Sequence, residues 1–436
     1  MKTLLVSLLL FSPILFAQDE FLTLEQAWKI ALAENPSEEM AQARLEQAQA
    51  RYKQIKSSYQ PRLGLSASGS RVEYSDNTLL QLPTGVSETA DLYEASLQAT
   101  WLLWDNGTRK NRVASARLQS EASEASLLSV REQLLAQVGR AFTSAQLARA
   151  NLRIAEADME FQNRQLDNSA RKVNAGLDSR TDLLNFEIRK LAAESTAVQQ
   201  QANYTSSMAA LGALLGQPVD QPLPPPVQLT PEDSGLPAEI PDVDTLWKQA
   251  QISQPQLREA QLQVDASKAN VRAFKGEYGP DLSAFGNLNA DRNDDPAFSE
   301  GDLGNAVGLQ LSWDLWTGNA RKQQVIEAEA LVREIEAQYR QVQLQVIADI
   351  QQAHAEYLAA IRSEKISAKT FELSKENREL VEASYQAGRE TLLRLNEAQR
   401  DFNNAGVRYV SARLQRQLSW ITLQQATGTL RAKVPE

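Results

Sequence analysis

The chain has 436 residues, 42% of them hydrophobic, with 45 basic and 55 acidic side chains and a net charge of −10. A mean hydropathy of −0.41 excludes a helical membrane protein, because beyond the N-terminus no window approaches the roughly 20 apolar residues of a spanning helix. It does not exclude a membrane β-barrel, whose alternating strands leave little trace in an average. With no cysteine the chain has neither disulfides nor a thiolate metal site nor an acylated-cysteine anchor. The acidic balance argues against general nucleic-acid binding.

Residues 1–17 read as a secretory signal: Lys2, the apolar run TLLVSLLLFSPILFA, and Ala17 as the last residue before cleavage. A helix follows in TLEQAWKIALAENP, with Thr23 as N-cap and Pro36 as breaker, and a second covers 37–58. The period then changes to two. In 62–74, Leu63, Leu65 and Ala67 alternate with Gly64, Ser66 and Ser68; in 91–104, Ala95, Leu97, Ala99 and Trp101 alternate with Glu94, Ser96, Gln98 and Thr100. These are two strands of a hairpin with one apolar and one polar face.

From about 106 to 174 there is no proline, and Val138, Ala145, Leu152, Met159, Leu166 and Val173 recur every seven residues. Leu134, Ala141, Ala148 and Ala155 fill a second seam. This is a coiled-coil pattern of small residues, on the order of 100 Å long at ~1.5 Å per residue. It turns at NAGLDSRTDLL (174–184), where Gly176 suits a left-handed helix end, and a return helix runs to about 215. Seven prolines then mark a linker in 216–240.

The rest repeats the first half. LWKQAQISQP (246–255) matches AWKIALAENP (27–36), and Tyr278–Pro280 matches Tyr59–Pro61, both at an offset of 219. Further on, LQLSWDLWTGNARK (309–322) matches LQATWLLWDNGTRK (97–110) at 212, as Gly388 matches Gly176. The first copy therefore carries seven extra residues between about 75 and 90, where a loop tip tolerates insertion. The copies span 18–215 and 241–430. The second has strands expected at about 281–291 and 304–316 and a helical hairpin at 318–427, its seam of Ile350, Tyr357, Phe371 and Tyr385 interrupted by Glu364 and Arg378.

A two-stranded hairpin is not stable alone. The export signal, the alternation, and the clustering of Trp101, Trp104, Trp313 and Trp316 where strand meets helix favour a sheet in a bilayer with tryptophans at its boundary over aromatic core filling. Leu65, Leu97, Leu288 and Leu309 would face lipid. Such a sheet must close, which four strands cannot do. Two chains would give eight strands and a filled interior; three give twelve and four give sixteen, and the pattern alone leaves three and four open. The expected fold is thus a membrane β-barrel plus a long α-helical barrel, built from a tandem repeat.

The order and spacing of the Tyr-x-Pro strand starts, the paired hairpins and the turns AGLDSRTDLL and SYQAGRETLLRL resemble the TolC-like outer membrane efflux proteins over essentially the whole mature chain. The resemblance implies a homotrimer with a 12-stranded barrel in outer-membrane lipid and a helical barrel across the periplasm of a Gram-negative cell. It also implies a periplasmic adaptor (membrane fusion protein) and an inner-membrane pump of RND, ABC or MFS type. It places a periplasmic gate at Thr181, Asp182 and Tyr385, with Tyr385 bonded to Asp182. Where better-known members have an Arg two residues after the tip glycine and paired Asp at the constriction, this sequence has Glu390, Arg394 and Glu397, with Arg389 one position earlier. A ring of Arg394 beside Glu397 is mixed rather than acidic. The tips, Gly176, Leu177, Gly388 and Arg389, are the implied adaptor contacts.

No catalytic constellation stands out, and no cofactor or metal is expected. His354 is the only histidine, which excludes a multi-histidine metal site within one chain. Two other readings are a periplasmic coiled-coil scaffold or adaptor without a pore, which would lack an outward apolar band, and a passive porin, which would not need ~100 Å of helix.

Overall fold

The computed structural model describes residues 21–75, 78, 88–176, 179–218, 222–229 and 236–433. The expected signal 1–17, Leu177 and most of the 75–90 insertion lie outside the described residues. The elements in chain order are α1 (Leu24–Glu34), α2 (Pro36–Lys56), β1 (Arg62–Glu73), β2 (Thr89–Trp104), α3 (Thr108–Asn174) and α4 (Arg180–Leu214), then α5 (Val243–Ser253), α6 (Pro255–Gly276), β3 (Asp281–Asn293), β4 (Leu303–Ser312), α7 (Ala320–Gln386) and α8 (Leu392–Thr427). The second six repeat the first six in kind and order. The chain forms two compact units: residues 1–40, 129–254 and 345–436, and residues 41–128 and 255–344.

The first unit is helical. Thr23 starts α1 with a capping box, its hydroxyl accepting from Gln26 N while the Gln26 side chain accepts from Thr23 N. Trp28, Ala31, Leu134, Leu135, Val138, Phe142, Met208, Leu211 and Ile421 bury one core, and the Trp28 indole donates to Leu135 O at 2.8 Å. The seams expected on α3 are buried at Leu134, Val138, Ala145, Ala148, Leu152 and Ala155. On α7, Ile350 and Tyr357 are fully buried. The charges that interrupt its seam are paired: Glu364 with Arg416 at 2.8 Å and Arg378 with Glu382 at 3.2 Å. The linker is more than a spacer. Leu22 bridges to Val227, which is fully buried, and the Tyr357 hydroxyl donates to Pro237 O at 2.6 Å.

The repeat is visible as two equivalent docks in this unit. The Asn35 side-chain amide donates to Leu214 O at 2.8 Å; in the second copy Gln254 donates to Ala426 O at 2.9 Å. At the same two places the return helices end in left-handed glycines, Gly216 (φ 76°) and Gly428 (φ 70°). A Cβ at either would collide with the end of the first helix of its own copy, at Glu34 or Ser253. Glu132 is buried in this unit, accepting from Arg431 N at 3.2 Å. Burial holds its carboxyl above the ordinary value, opposed by hydrogen bonds from the Arg431 and Leu430 backbone.

The second unit carries one antiparallel sheet in the order β1-β2-β3-β4. The two expected hairpins are joined through a β2–β3 ladder. β4 ends at Ser312 rather than reaching 316. Ser312 pairs with Asp281, and the residue before that is Pro280, which has no N–H to extend the ladder. Trp313 and Trp316 therefore lie past the strand. β2 does run to Trp104, by a bulge at Leu102/Trp104 against β3.

Candidate functional site: sheet face, sheet base and helix turns

Strand pairing decides which side chains share a face. Leu65 lies opposite Leu97, and Leu97 opposite Leu288. Ala284 lies opposite Leu309, so Leu63, Ala95, Ala99, Leu282, Val307 and Leu311 join the same face. All four leucines expected to face lipid are on it. The face is bare: Leu65 is 77% and Leu309 67% exposed. The opposite face carries Ser66, Ser68, Ser96, Gln98, Ser283, Asn287 and Gln310. The apolar face ends toward the hairpin tip at an Arg71–Asp91 ion pair of 2.7 Å. From Leu63 to Arg71 is about 26 Å along the strand at ~3.3 Å per residue. That compares with the ~25 Å apolar band of outer-membrane barrels.

At the base of the sheet the two copies repeat one joint. Trp101 Nε1 donates to Tyr59 O at 2.9 Å, and Trp313 Nε1 to Tyr278 O at 3.0 Å. Arg109 Nη1 donates to Leu102 O at 2.7 Å and Arg321 Nη1 to Asp314 O at 2.7 Å. Arg109 also lies 4.3 Å over the Tyr59 ring. Between strand and helix the chain reverses through two left-handed residues, Asn106-Gly107 in one copy and Gly318-Asn319 in the other. The same two residue types serve in opposite order, since asparagine and glycine both tolerate that conformation. All four of these tryptophans, Trp101, Trp104, Trp313 and Trp316, are exposed. The sequence alignment of the two copies already paired Arg109 with Arg321, but gave neither these arginines nor the Asn/Gly pair a role.

The helix turns also match. Gly176 (φ 72°) and Gly388 (φ 71°) end α3 and α7 with open space around them. Ser179 caps α4 through Asp182 N at 3.1 Å, and Thr391 caps α8 through Arg394 N at 3.3 Å. Of the residues expected at the gate, the fold brings Arg394 and Glu397 together as a 3.4 Å ion pair. Asp182 accepts from its own Ser179 hydroxyl at 3.0 Å. Tyr385 packs against the core of Phe161, Val381, Leu395 and Ala398, with Lys172 5.1 Å from its ring. It lines a cavity of about 400 Å³ whose wall includes Phe186 but not Asp182. Thr181, Arg389 and Glu390 are exposed.

A sheet with one bare apolar face, based on tryptophans and continued by long helices, is the subunit architecture of an outer-membrane channel protein. Comparison with known proteins gives the family: the outer membrane efflux protein profile matches residues 28–217 and 246–429, and the chain belongs to that family. It is similar to protein CyaE of Bordetella pertussis, 27% identical over 414 residues, 94% of this chain and 84% of that protein. It is also similar to outer membrane protein TolC of Vibrio cholerae, 24% identical over 381 residues, 85% and 82% of the two chains. Among solved structures, the outer membrane protein VceC of Vibrio cholerae shares the fold with a TM-score of 0.77 at 20% identity, over 93% of this chain and 96% of that one. The protein is an outer-membrane channel that extends into the periplasm and serves efflux or type I secretion. Members of the family are trimers that work with adaptor and inner-membrane pump partners.

Proposed function

We propose that three copies of this chain close their sheets into one 12-stranded barrel, which passes cargo from an inner-membrane pump of RND, ABC or MFS type through a periplasmic adaptor to the exterior. One observation carries this reading: the sheet has one exposed apolar face, yet among the described residues β1 and β4 each have a strand partner on one side only. In hydrocarbon, each unpaired backbone group along those edges would cost several kcal/mol. A ring of sheets removes both edges at once. Three copies give an even strand number with room for a channel, whereas two would give an interior filled by side chains.

The exposed helix faces support the same closure. Leu184, Ile188, Leu191 and Val198 form a bare stripe on α4, and Ile366, Leu373 and Leu380 form one on α7 at seven-residue spacing. Stripes of this kind pack side by side between helices. The repeat also implies a register between copies. Within the chain Gln98 pairs with Asn287; the matching positions are Gln310 on β4 and Ser68 on β1 of the next copy.

In this reading Thr181, Asp182, Tyr385, Glu390, Arg394 and Glu397 form the periplasmic gate, and Gly176, Leu177, Gly388 and Arg389 meet the adaptor. A Tyr385–Asp182 bond between neighbouring helices would contribute about 1–3 kcal/mol, little enough for a docked partner to replace. In a planar bilayer the purified protein should form discrete channels, and D182A/Y385F should raise their conductance. No channel would refute the barrel. Channels with unchanged conductance in the double variant would remove only the gate assignment.

A further inference from the structure

Under the polar side of the sheet, the end of α2, the start of β1 and the start of α3 enclose an open cavity of about 800 Å³. Four arginines, Arg51, Arg62, Arg109 and Arg112, line it against a single acidic residue, Asp105. Arg109 is committed to the joint described above, and Arg112 pairs with Glu277. Arg51 and Arg62 are exposed, and among the described residues neither side chain has an acidic or hydrogen-bonding partner. One buried atom of the wall, Ser58 Oγ, has no hydrogen-bond partner there, while Arg109 Nε lies 4.0 Å from Asp105 without a hydrogen bond.

The repeat supplies an internal control. The second copy builds the same scaffold, but Arg51, Arg62 and Arg112 correspond to Asn270, Asp281 and Gln324, while Ser58 and Ser115 correspond to Glu277 and Glu327. These counterpart positions are acidic or neutral, and Asn270 lines the first-copy cavity itself. Of the four, only Arg109 has an arginine counterpart, Arg321; Arg51, Arg62 and Arg112 belong to the first copy alone, so the fold does not require basic side chains at their positions. Arg62 pairs with Thr100 on the polar side of β1, and Leu102, also in the wall, continues that side of β2.

We infer that this cavity is an anion-binding station of the duct, taking solutes that carry clustered oxyanions such as phosphate, carboxylate or sulfonate groups. Planar guanidinium groups match these anions by paired hydrogen bonds. The volume exceeds that of a single ion, which suits a small polyanion. The location in the duct rests on the reading that the sheet's polar face lines the pore; binding itself does not.

Inorganic pyrophosphate is the probe. Calorimetry on the detergent-solubilised full-length protein should show binding that weakens with added salt, and R51Q and R62Q should each weaken it about tenfold. Because neither side chain holds the fold, both variants should melt as the wild type does. Added to a single channel, pyrophosphate should reduce the wild-type current and leave that of R51Q/R62Q unchanged. Absence of binding, or equal binding by the double variant, overturns the proposal. Binding without any effect on current overturns the location in the duct. A phospholipid that co-purifies with the wild type, resists displacement by pyrophosphate and is lost in R51Q/R62Q would make the occupant a lipid headgroup and overturn the solute reading.

Discussion

Trp101 holds the start of the strand beside its own: its indole N–H donates to Tyr59 O across 2.9 Å, and Trp313 does the same to Tyr278 at 3.0 Å. Each bond ties a tryptophan at the sheet base to the Tyr-x-Pro segment that launches the neighbouring strand. W101F and W313F keep an aromatic ring but lose the donor. Each should cost about 1 kcal/mol. The two effects should add, because the joints are separate and share no partner. The melting temperature of the assembled protein in detergent, read by its heat-modifiable gel mobility, checks both.

The row Leu65–Leu97–Leu288 yields a test of sidedness. An arginine at any of the three should cost roughly 2–4 kcal/mol near the bilayer midplane and lower the amount of assembled protein in the outer-membrane fraction. Arginine one residue away, as in S66R or S96R, should be tolerated. If the leucine variants assemble normally and the serine variants do not, the faces are inverted.

Much of this was legible in the sequence because its signals are local. A period of two marked the strands, heptads marked α3, and Gly176 and Gly388 marked the turns. The pairing of β2 with β3, by contrast, joins residues about 200 positions apart, and no local pattern encodes it. The end of β4 was read too far because tryptophan alternation continues past Ser312, whereas the ladder stops where β3 runs out at Pro280. The residues expected at the gate were the least legible part. Arg394 and Glu397 sit three residues apart on a helix and meet as their spacing predicts, but a Tyr385–Asp182 link depends on how neighbouring helices pack, which one chain's periodicity does not encode.

The glycine docks can be separated from ordinary helix ends. Gly428 and Gly388 share a left-handed backbone, at φ 70° and 71°, but only Gly428 has Ser253 O within 2.7 Å of where a Cβ would sit. G388A should therefore cost only about 1 kcal/mol for the conformation. G428A and G216A should cost more, since a backbone must shift as well. Thermal melting of the three variants reads the difference. Equal shifts would mean the docks do not constrain the fold.

Glu132 predicts a pH dependence. Burial raises its folded-state pKa above the value in the unfolded chain, so the folded form holds its proton more tightly. Stability from this group is complete below the unfolded pKa and is lost as pH rises through the folded pKa. E132Q keeps an acceptor for Arg431 N without the charge. It should be more stable than the wild type at pH 8, with the gap closing toward pH 4. Parallel melting curves at all pH values would show that Glu132 does not titrate in this range.

Closure of the sheet by sister copies is tested most directly by crosslinking, for which the cysteine-free chain is well suited. Within one chain β1 and β4 are separated by two strands, about 14 Å at ~4.8 Å per step, beyond the reach of a disulfide. Mild oxidation of S68C/Q310C in the outer membrane should therefore yield a covalent ladder ending at three chains, while either single variant gives none. A double variant that remains a single-chain species, or a ladder that ends at another number, would contradict a trimeric barrel.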